Sequence, residues 1–194
     1  MNMKTVIHLL LFLISLGLLY ALYSTIKEPI QFQTQYNKRS KAVVEKLKDI
    51  RTAQKLYRTI TDTFATNFSD LEKVLTTGKF EIIQVKGDRD ALDAQVTYDT
   101  IYIPAKDSIA AIGLDVMHLK EVPYSNGKEF EIFAGKIDQQ GITIPVLEVS
   151  TKWGDFMGQE YGQKKYAKYN RKYSPTNRLK FGSRSKANLS GNWE

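Results

Sequence analysis

The first apolar pattern in the chain is a continuous run near its start. From Val6 to Ile26 there is no Asp, Glu, Lys or Arg among 21 residues. A helix of that length spans about 31 Å, which matches the hydrocarbon core of a bilayer. Tyr20 and Tyr23 lie where interfacial aromatic residues belong. A cleaved signal sequence fits less well, because Leu22-Tyr23-Ser24 is a poor match to a small-x-small cleavage site. The pattern predicts a transmembrane anchor over residues 1–28.

The next pattern has the period of an amphipathic helix. Between residues 38 and 68, apolar side chains recur every three or four positions, which places them on one helical face. The sequence therefore predicts a helix over residues 38–68, and Pro29 is expected to interrupt the chain between this helix and the anchor. Ser69 and Glu72 have the spacing of a capping box and predict a second, short helix.

The apolar face of the long helix has two interpretations. It can cover the protein's own sheet, or it can bind a partner helix, because its spacing is close to that of a heptad repeat. Both interpretations stay open at the level of the sequence. The residues that form the candidate partner-binding face are Val43, Leu47, Ile50, Tyr57, Ile60 and Phe64.

From Phe80 onward the period of the pattern changes to two. Four segments are rich in β-branched and aromatic side chains and are separated by turn-forming residues. The four segments are residues 80–85, 94–104, 129–138 and 142–150. They predict antiparallel hairpins in a small sheet at about residues 80–150. Pro145 predicts an edge position for its strand, because proline cannot donate to a neighbouring strand.

A long helix followed by antiparallel strands is the order of an α+β protein. We expect three parts: the anchor at residues 1–28, an α+β domain at residues 29–153, and a basic, partly flexible tail at residues 154–194. The 194 residues contain no Cys, which excludes disulfides, thiolate metal sites and thiol nucleophiles.

The formal net charge of +7 lies entirely in the last part of the chain. From Ser150 to Glu194 there are ten Lys or Arg residues and three acidic residues, whereas the rest of the chain is balanced. Aromatic residues alternate with these cations, which suits an anionic surface such as lipid headgroups, an acidic protein or nucleic acid. A solvated tail without a partner is the alternative. The candidate anionic-surface residues are Lys164, Lys165, Lys168, Arg171, Lys172, Arg178, Lys180, Arg184 and Lys186.

Catalytic chemistry has little support in the sequence. His118 is the one histidine outside the anchor, and its apolar neighbours favour a structural imidazole over a catalytic base. Asp88, Asp90 and Asp93 could supply oxygen ligands. A Ca²⁺ loop needs more ligands than these, and Arg89 lies among them, so a solvated turn is favoured. No nucleotide-binding, nucleophile-elbow or zinc-protease motif occurs. We therefore expect the protein not to be an enzyme and to bind no metal or other cofactor. An envelope enzyme that uses His118 is the alternative to this expectation.

The segment VVEKLKDIRTAQKLYRTITDTFATNFSDLEKVL resembles the helix-to-loop stretch of type IV pilins and pseudopilins. The matching positions are Arg51, Ala53, Gln54, Tyr57 and Leu71, and the likeness covers roughly the first 85 residues. It implies an apolar helix that continues as an amphipathic helix and packs on an antiparallel sheet. The chain lacks the glycine before the apolar segment and the acidic residue inside it that accompany prepilin peptidase processing. The ending NLSGNWE resembles the terminus of uncharacterised bacterial single-pass membrane proteins, which implies no function.

Two hypotheses of non-enzymatic function remain, and they differ in the side of the membrane on which the domain lies. The first is a non-enzymatic assembly or scaffold component of a bacterial envelope machine, pilus-like or a secretion system, anchored by one span in the inner membrane. Its partners are the bilayer and other envelope proteins or further copies of the chain. The second is a cytoplasm-facing tether that binds anionic lipid or nucleic acid through its tail. Nucleic acid is the least favoured partner.

The side of the membrane on which the domain lies is predicted differently by two rules. Lys27, Lys38, Arg39 and Lys41 follow the span, whereas Lys4 precedes it, so the positive-inside rule favours a cytoplasmic domain. A single anchor near the N-terminus of a bacterial protein favours an extracytoplasmic domain. We take the extracytoplasmic side as the expectation.

Overall fold

The computed structural model describes residues 3–86 and 97–194. Its first element, α1, is one helix of 59 residues from Met3 to Thr61 that contains both the predicted anchor and the predicted amphipathic helix. The expected interruption at Pro29 is wrong, because Pro29 lies inside α1. A proline removes one intrahelical hydrogen bond, to the carbonyl of Thr25. That carbonyl lies at the end of the apolar run, where water can replace the lost partner.

The helix ends at Thr61 rather than at residue 68. Asp62 follows with a positive φ of 60°, and the chain turns before the second helix, α2, begins at Phe68 and runs to Thr77. The N-cap of α2 is Asn67 instead of the predicted Ser69, because the Asn67 side chain accepts a hydrogen bond from the backbone N–H of Asp70. Asparagine is among the strongest N-cap residues.

The strands form two separate antiparallel sheets instead of the single predicted sheet. Strands β1 (Lys79–Lys86) and β2 (Thr97–Pro104) form a two-stranded ribbon. Strands β3 (Glu131–Gln139), β4 (Ile142–Lys152) and β5 (Arg178–Gly182) form the second sheet, in the order β3-β4-β5. The predicted α+β class is confirmed.

Pro145 lies in the central strand of the second sheet, not in an edge strand. It pairs with Lys136 of β3, but β5 pairs with β4 only from Glu148 to Lys152. The side of β4 away from β3 is therefore not paired with β5 at Pro145. Because no β5 residue is paired with Pro145, the missing N–H of the proline costs no hydrogen bond to β5. A proline is therefore tolerated in this part of the central strand.

The segment predicted to be a flexible tail is part of the folded domain. It forms α4 (Trp153–Tyr161), a 3-10 helix (Lys164–Lys168) and β5, and α3 (Ala105–Ala111) lies between β2 and β3. Leu179 and Phe181 of β5 are buried in the same core as α1. The predicted boundary at residue 154 therefore does not separate the domain from a tail, because the last apolar residues complete the core.

Candidate functional site

The predicted partner-binding face of α1 is turned toward the protein's own core. Val43, Leu47 and Ile50 are completely buried, and Phe64, which lies beyond the end of the helix, is also buried. Tyr57 and Ile60 are partly buried and pack against the same cluster. This face is therefore not available to a partner helix. Its burial favours the first interpretation, in which the face packs against the protein's own fold.

Three of the predicted anionic-surface residues pair with acidic side chains of the domain. Lys180 Nζ lies 2.6 Å from one carboxylate oxygen of Glu148, and Arg184 Nε lies 2.9 Å from the other. Arg178 pairs with Glu131 and donates to the hydroxyl of Ser150. Burial alone would raise the pKa of Glu148, but the two cations lower it below its ordinary value. Three cations therefore share two carboxylates, and all three are engaged in ion pairs within the fold.

A second group of tail cations lies beside α1, just after the apolar run. Lys164, Lys165 and Lys168 are exposed side chains of the 3-10 helix. Lys165 Nζ lies 3.5 Å from the carboxylate of Glu28. The hydroxyl of Tyr169 donates to the same carboxylate at 2.7 Å, and this hydrogen bond, followed by the nearby lysines, lowers the pKa of Glu28. The structure thus brings Lys165 and Lys168 close to Glu28 at the end of the predicted span, with Lys164 next to them in the 3-10 helix.

The remaining predicted cations lie beside residues of the first group. Arg171 and Lys172 are exposed and line a cleft of about 640 Å³ together with Arg178. Lys186 is exposed and lies beside Arg184, near the end of β3. The nine predicted residues therefore lie on the surface of the folded domain and do not form a free binding tail.

A cluster of rings holds the 3-10 helix against α1, and we call it the aromatic clamp: Phe32, Tyr36, Trp153, Tyr166 and Tyr173. Phe32 has no exposed surface. Its ring is stacked on that of Tyr166 with centroids 4.9 Å apart, and Tyr173 meets it edge-on at 5.1 Å. Tyr36 is stacked on Trp153 at 4.8 Å. These contacts fix the C-terminal segment to the helix immediately after the apolar run.

Sequence reasoning missed the helix side of this clamp. The predicted apolar face of α1 begins at Val43, whereas the apolar face in the structure extends back in steps of seven and four residues to Tyr36 and Phe32. That spacing stays on the same helical face. Both residues lie close after Pro29, where the sequence predicts an interruption of the chain.

The apolar part of α1 is exposed along its length. None of its most apolar window of 18 residues is buried in the described part of the protein. Among residues 3–86 and 97–194, this is the one helix long and apolar enough to cross a membrane. A buried core helix is excluded by the exposure of these residues, so the segment is consistent with a single membrane span or a signal anchor.

His118, predicted to be a structural imidazole, is an exposed side chain with a hydrogen-bond partner. Two-thirds of its side chain is accessible, and its Nδ1 lies 2.7 Å from the carboxylate of Asp115. This hydrogen bond lowers the pKa of Asp115. The described residues contain no group of three or more side chains that could hold a metal ion. Asp88, Asp90 and Asp93 lie outside the residues that the structure describes.

The residues that carry the likeness to type IV pilins make internal contacts in this fold. Ala53 and Leu71 are buried in the core. Arg51 binds the C-terminal Glu194, with Nη1 2.7 Å from the carboxylate, and Gln54 binds the backbone of Ala65. Comparisons of the chain with family models, with curated proteins and with solved structures find no match.

Proposed function

We propose that this chain is a single-pass membrane protein of the bacterial envelope whose α+β domain acts as a non-enzymatic scaffold. The span lies in the inner membrane, and the domain lies on its extracytoplasmic side. The domain assembles with other envelope proteins, or with further copies of the chain, in a pilus-like or secretion machine. No catalytic step is assigned to any residue.

The observation that supports this proposal is the continuity of α1. The same helix contains the exposed apolar run and the buried stripe that begins at Phe32 and ends near Ile60. A domain connected by a loose linker would move freely above the bilayer. Here the span and the core share one helix, so a partner that binds the domain is held in a defined position relative to the membrane.

A surface for assembly is offered by the ribbon of β1 and β2 rather than by α1. Ile83, Tyr98 and Tyr102 are each about 60% exposed. Ile83 pairs with Thr100, and Tyr98 and Tyr102 lie two residues to either side of Thr100, so all three residues lie on one face of the ribbon. Two-stranded ribbons are only marginally stable in isolation, and exposed apolar clusters often mark protein interaction sites. Another envelope protein or copy of the chain is the occupant that fits the proposed function.

The test uses the full-length chain in native membranes with a photoreactive residue at Tyr102 and, as the matched control, at the exposed Thr52 of α1. We expect the protein to stay in the membrane fraction after an alkaline carbonate wash. Light should then crosslink the Tyr102 variant to a second polypeptide, and the Thr52 variant should remain monomeric. A cysteine introduced at the exposed Thr52 should react with a membrane-impermeant maleimide added on the extracytoplasmic side, because the chain otherwise contains no Cys.

Two results would contradict different parts of the proposal. Release of the full-length chain by carbonate, or a mature form that starts near Thr25, contradicts the membrane span. A retained protein that forms no crosslink from Tyr102 contradicts the assembly role. Reaction of the Thr52 cysteine only with maleimide added on the cytoplasmic side contradicts the proposed orientation.

The alternative function of a nucleic-acid tether has less support. It needs a basic segment that is free to follow a phosphate backbone. In the folded domain three of the predicted cations pair with Glu131 and Glu148, and the segment that carries the others is held in the fold by the buried Tyr166 and Tyr173.

A further inference from the structure

We propose that four lysines at the membrane end of the domain bind the headgroups of anionic phospholipids in the leaflet from which α1 emerges. We call Lys27, Lys164, Lys165 and Lys168 the basic collar. The inference rests on the proposed membrane span and adds a lipid specificity to it.

The position of the collar along α1 is fixed by contacts on both sides of Pro29. Glu28, which contacts Lys165 and Tyr169, lies about 3 Å beyond Ile26 along the helix axis, and Phe32 lies about 9 Å beyond it. The headgroup layer on each side of a bilayer is roughly 5–8 Å thick. When residues 6–26 span the hydrocarbon, the contact of the 3-10 helix with Glu28 lies within the headgroup layer, and its contact with Phe32 lies at the outer edge of that layer.

The collar carries more positive charge than its neighbours neutralise. All four lysines are exposed, and within residues 3–86 and 97–194 Glu28 is the one carboxylate that forms an ion pair with any of them, through Lys165. Tyr169 holds Glu28 by a hydrogen bond, so Glu28 is oriented toward the domain and pairs with Lys165. The excess positive charge of the lysines lies at the depth of the negatively charged phosphates of the lipid headgroups, so the two surfaces attract each other.

Tyrosine rings support three of the four ammonium groups. Lys165 Nζ lies 4.8 Å from the ring centre of Tyr166, and Lys168 Nζ lies 4.7 Å from that of Tyr169. Lys27 Nζ lies 5.5 Å from the ring of Tyr23. A cation over an aromatic face is partly held in place, and tyrosine is enriched at membrane interfaces. Three of the four ammonium groups are therefore partly held in place at the membrane end of the domain.

Continuity with the span identifies lipid as the occupant of this surface. A protein partner would have to enter between the domain and the bilayer, whereas headgroups surround an emerging helix at all times. Lysine suits this role because its long apolar stem can lie along the membrane surface while its ammonium group reaches the phosphates.

The test compares lipids that contact the full-length protein reconstituted in phosphatidylcholine bilayers. Trace amounts of spin-labelled phosphatidylglycerol or spin-labelled phosphatidylcholine report, by electron paramagnetic resonance, the fraction of each lipid held at the protein surface. We expect phosphatidylglycerol to associate about threefold to tenfold more strongly than phosphatidylcholine. The preference should fall toward one at high salt, because exposed charges are screened.

The decisive variant is K164Q/K165Q/K168Q, which should lose most of this preference. The matched control K73Q/K79Q/K106Q removes three exposed lysines from the other end of the domain, where Gly78 lies against Ile60, and should keep it. Both variants should unfold at the temperature of the wild type, because none of these six positions is buried.

Failure of the collar and failure of the span give different results. Equal association of both lipids with a wild-type protein that co-floats with the vesicles overturns the collar and leaves the span intact. Equal loss of preference in the two triple variants also overturns the collar, because it shows a general effect of net charge. A wild-type protein that does not co-float overturns the proposed function, and the collar with it.

Discussion

Gln54 fixes the end of the long helix through a single buried amide. Its side-chain oxygen accepts a hydrogen bond from the backbone N–H of Ala65 at 2.9 Å, and its nitrogen donates to the Ala65 carbonyl at 3.2 Å. A buried amide that satisfies both backbone groups of one residue holds the turn between α1 and α2 in place. Arg51 holds the last residues of the chain against α1, because it pairs with Glu194 and donates a hydrogen bond to the carbonyl of Leu189. We therefore expect Gln54 and Arg51 to stabilise the fold.

Glu148 should make the stability of the domain depend on pH. Its pKa in the folded protein is lower than its ordinary value of 4.5. The carboxylate therefore stabilises the fold above about pH 4.5, and this contribution is lost as the pH falls through the folded pKa. Glu148→Gln should lower the free energy of unfolding by about 1–3 kcal/mol at pH 7, and the difference from wild type should shrink at pH 3.

Chemical denaturation of the detergent-solubilised protein at the two pH values measures this effect. The control is Glu129→Gln, because Glu129 pairs with Lys120 at the surface, where about half of each side chain is exposed. An exposed ion pair contributes about 0–1 kcal/mol. Equal effects of the two substitutions at pH 7 would argue against a special role for Glu148.

At the scale of secondary structure, the aromatic clamp decides whether α1 and the C-terminal segment behave as one unit. Phe32→Ala removes a completely buried ring that touches Tyr166 and Tyr173. We expect a loss of about 3–5 kcal/mol in the free energy of unfolding, and faster proteolysis of the 3-10 helix, because its packing surface on α1 is gone.

Ile30→Ala is the matched control for this prediction. Ile30 lies two residues earlier on the same helix and is more than half exposed, so its removal should change stability by no more than about 0.5 kcal/mol. Thermal unfolding and limited proteolysis in detergent measure both variants. If Phe32→Ala unfolds like Ile30→Ala, the clamp does not hold the segment.

The sequence predicted the strands better than it predicted their arrangement. The alternating segments at residues 80–85, 129–138 and 142–150 correspond to β1, β3 and β4, because a period of two is a local property. β5 was not predicted, since its five residues lie in a segment dominated by charge. The cations of that segment pair with Glu131 and Glu148, which are far away in the sequence. Such long-range pairs leave no periodic signal.

The prediction of the long helix is wrong at Pro29 because a local preference does not decide the structure there. Proline disfavours a helix interior, so the sequence alone predicts an interruption of the helix at Pro29. In the fold, contacts of Glu28 and Phe32 with the C-terminal segment support the helix on both sides of the proline. Tertiary packing outweighs the local preference, and the membrane end of the candidate site could not be predicted without it.

At the scale of the whole molecule, the last residues complete the core, so the basic segment cannot be removed as a separate module. A chain that stops at Gly162 lacks β5 and the buried side chains of Tyr166, Tyr173 and Phe181. We expect it to lose cooperative unfolding and near-ultraviolet circular dichroism, because its core is left open. The full-length K164Q/K165Q/K168Q variant is the control and should retain both signals.

A truncated chain that unfolds cooperatively at the temperature of the full-length protein would contradict this view. It would show that residues 163–194 are dispensable for the core despite the burial of Phe181. Any loss of lipid or partner binding in the truncated chain would then report on the segment itself and not on the fold.

The grip of the domain on both sides of Pro29 has a mechanical consequence. The hydrogen bond from Tyr169 to Glu28 and the stack of Tyr166 on Phe32 leave the proline no freedom to act as a hinge. The domain must then follow the tilt of the span, and tilt responds to bilayer thickness. The helix continues for about 52 Å from Ile26 to Thr61, so a tilt of about 10° moves its far end by about 9 Å. A change in bilayer thickness that tilts the span would therefore displace the ribbon of β1 and β2 parallel to the membrane surface.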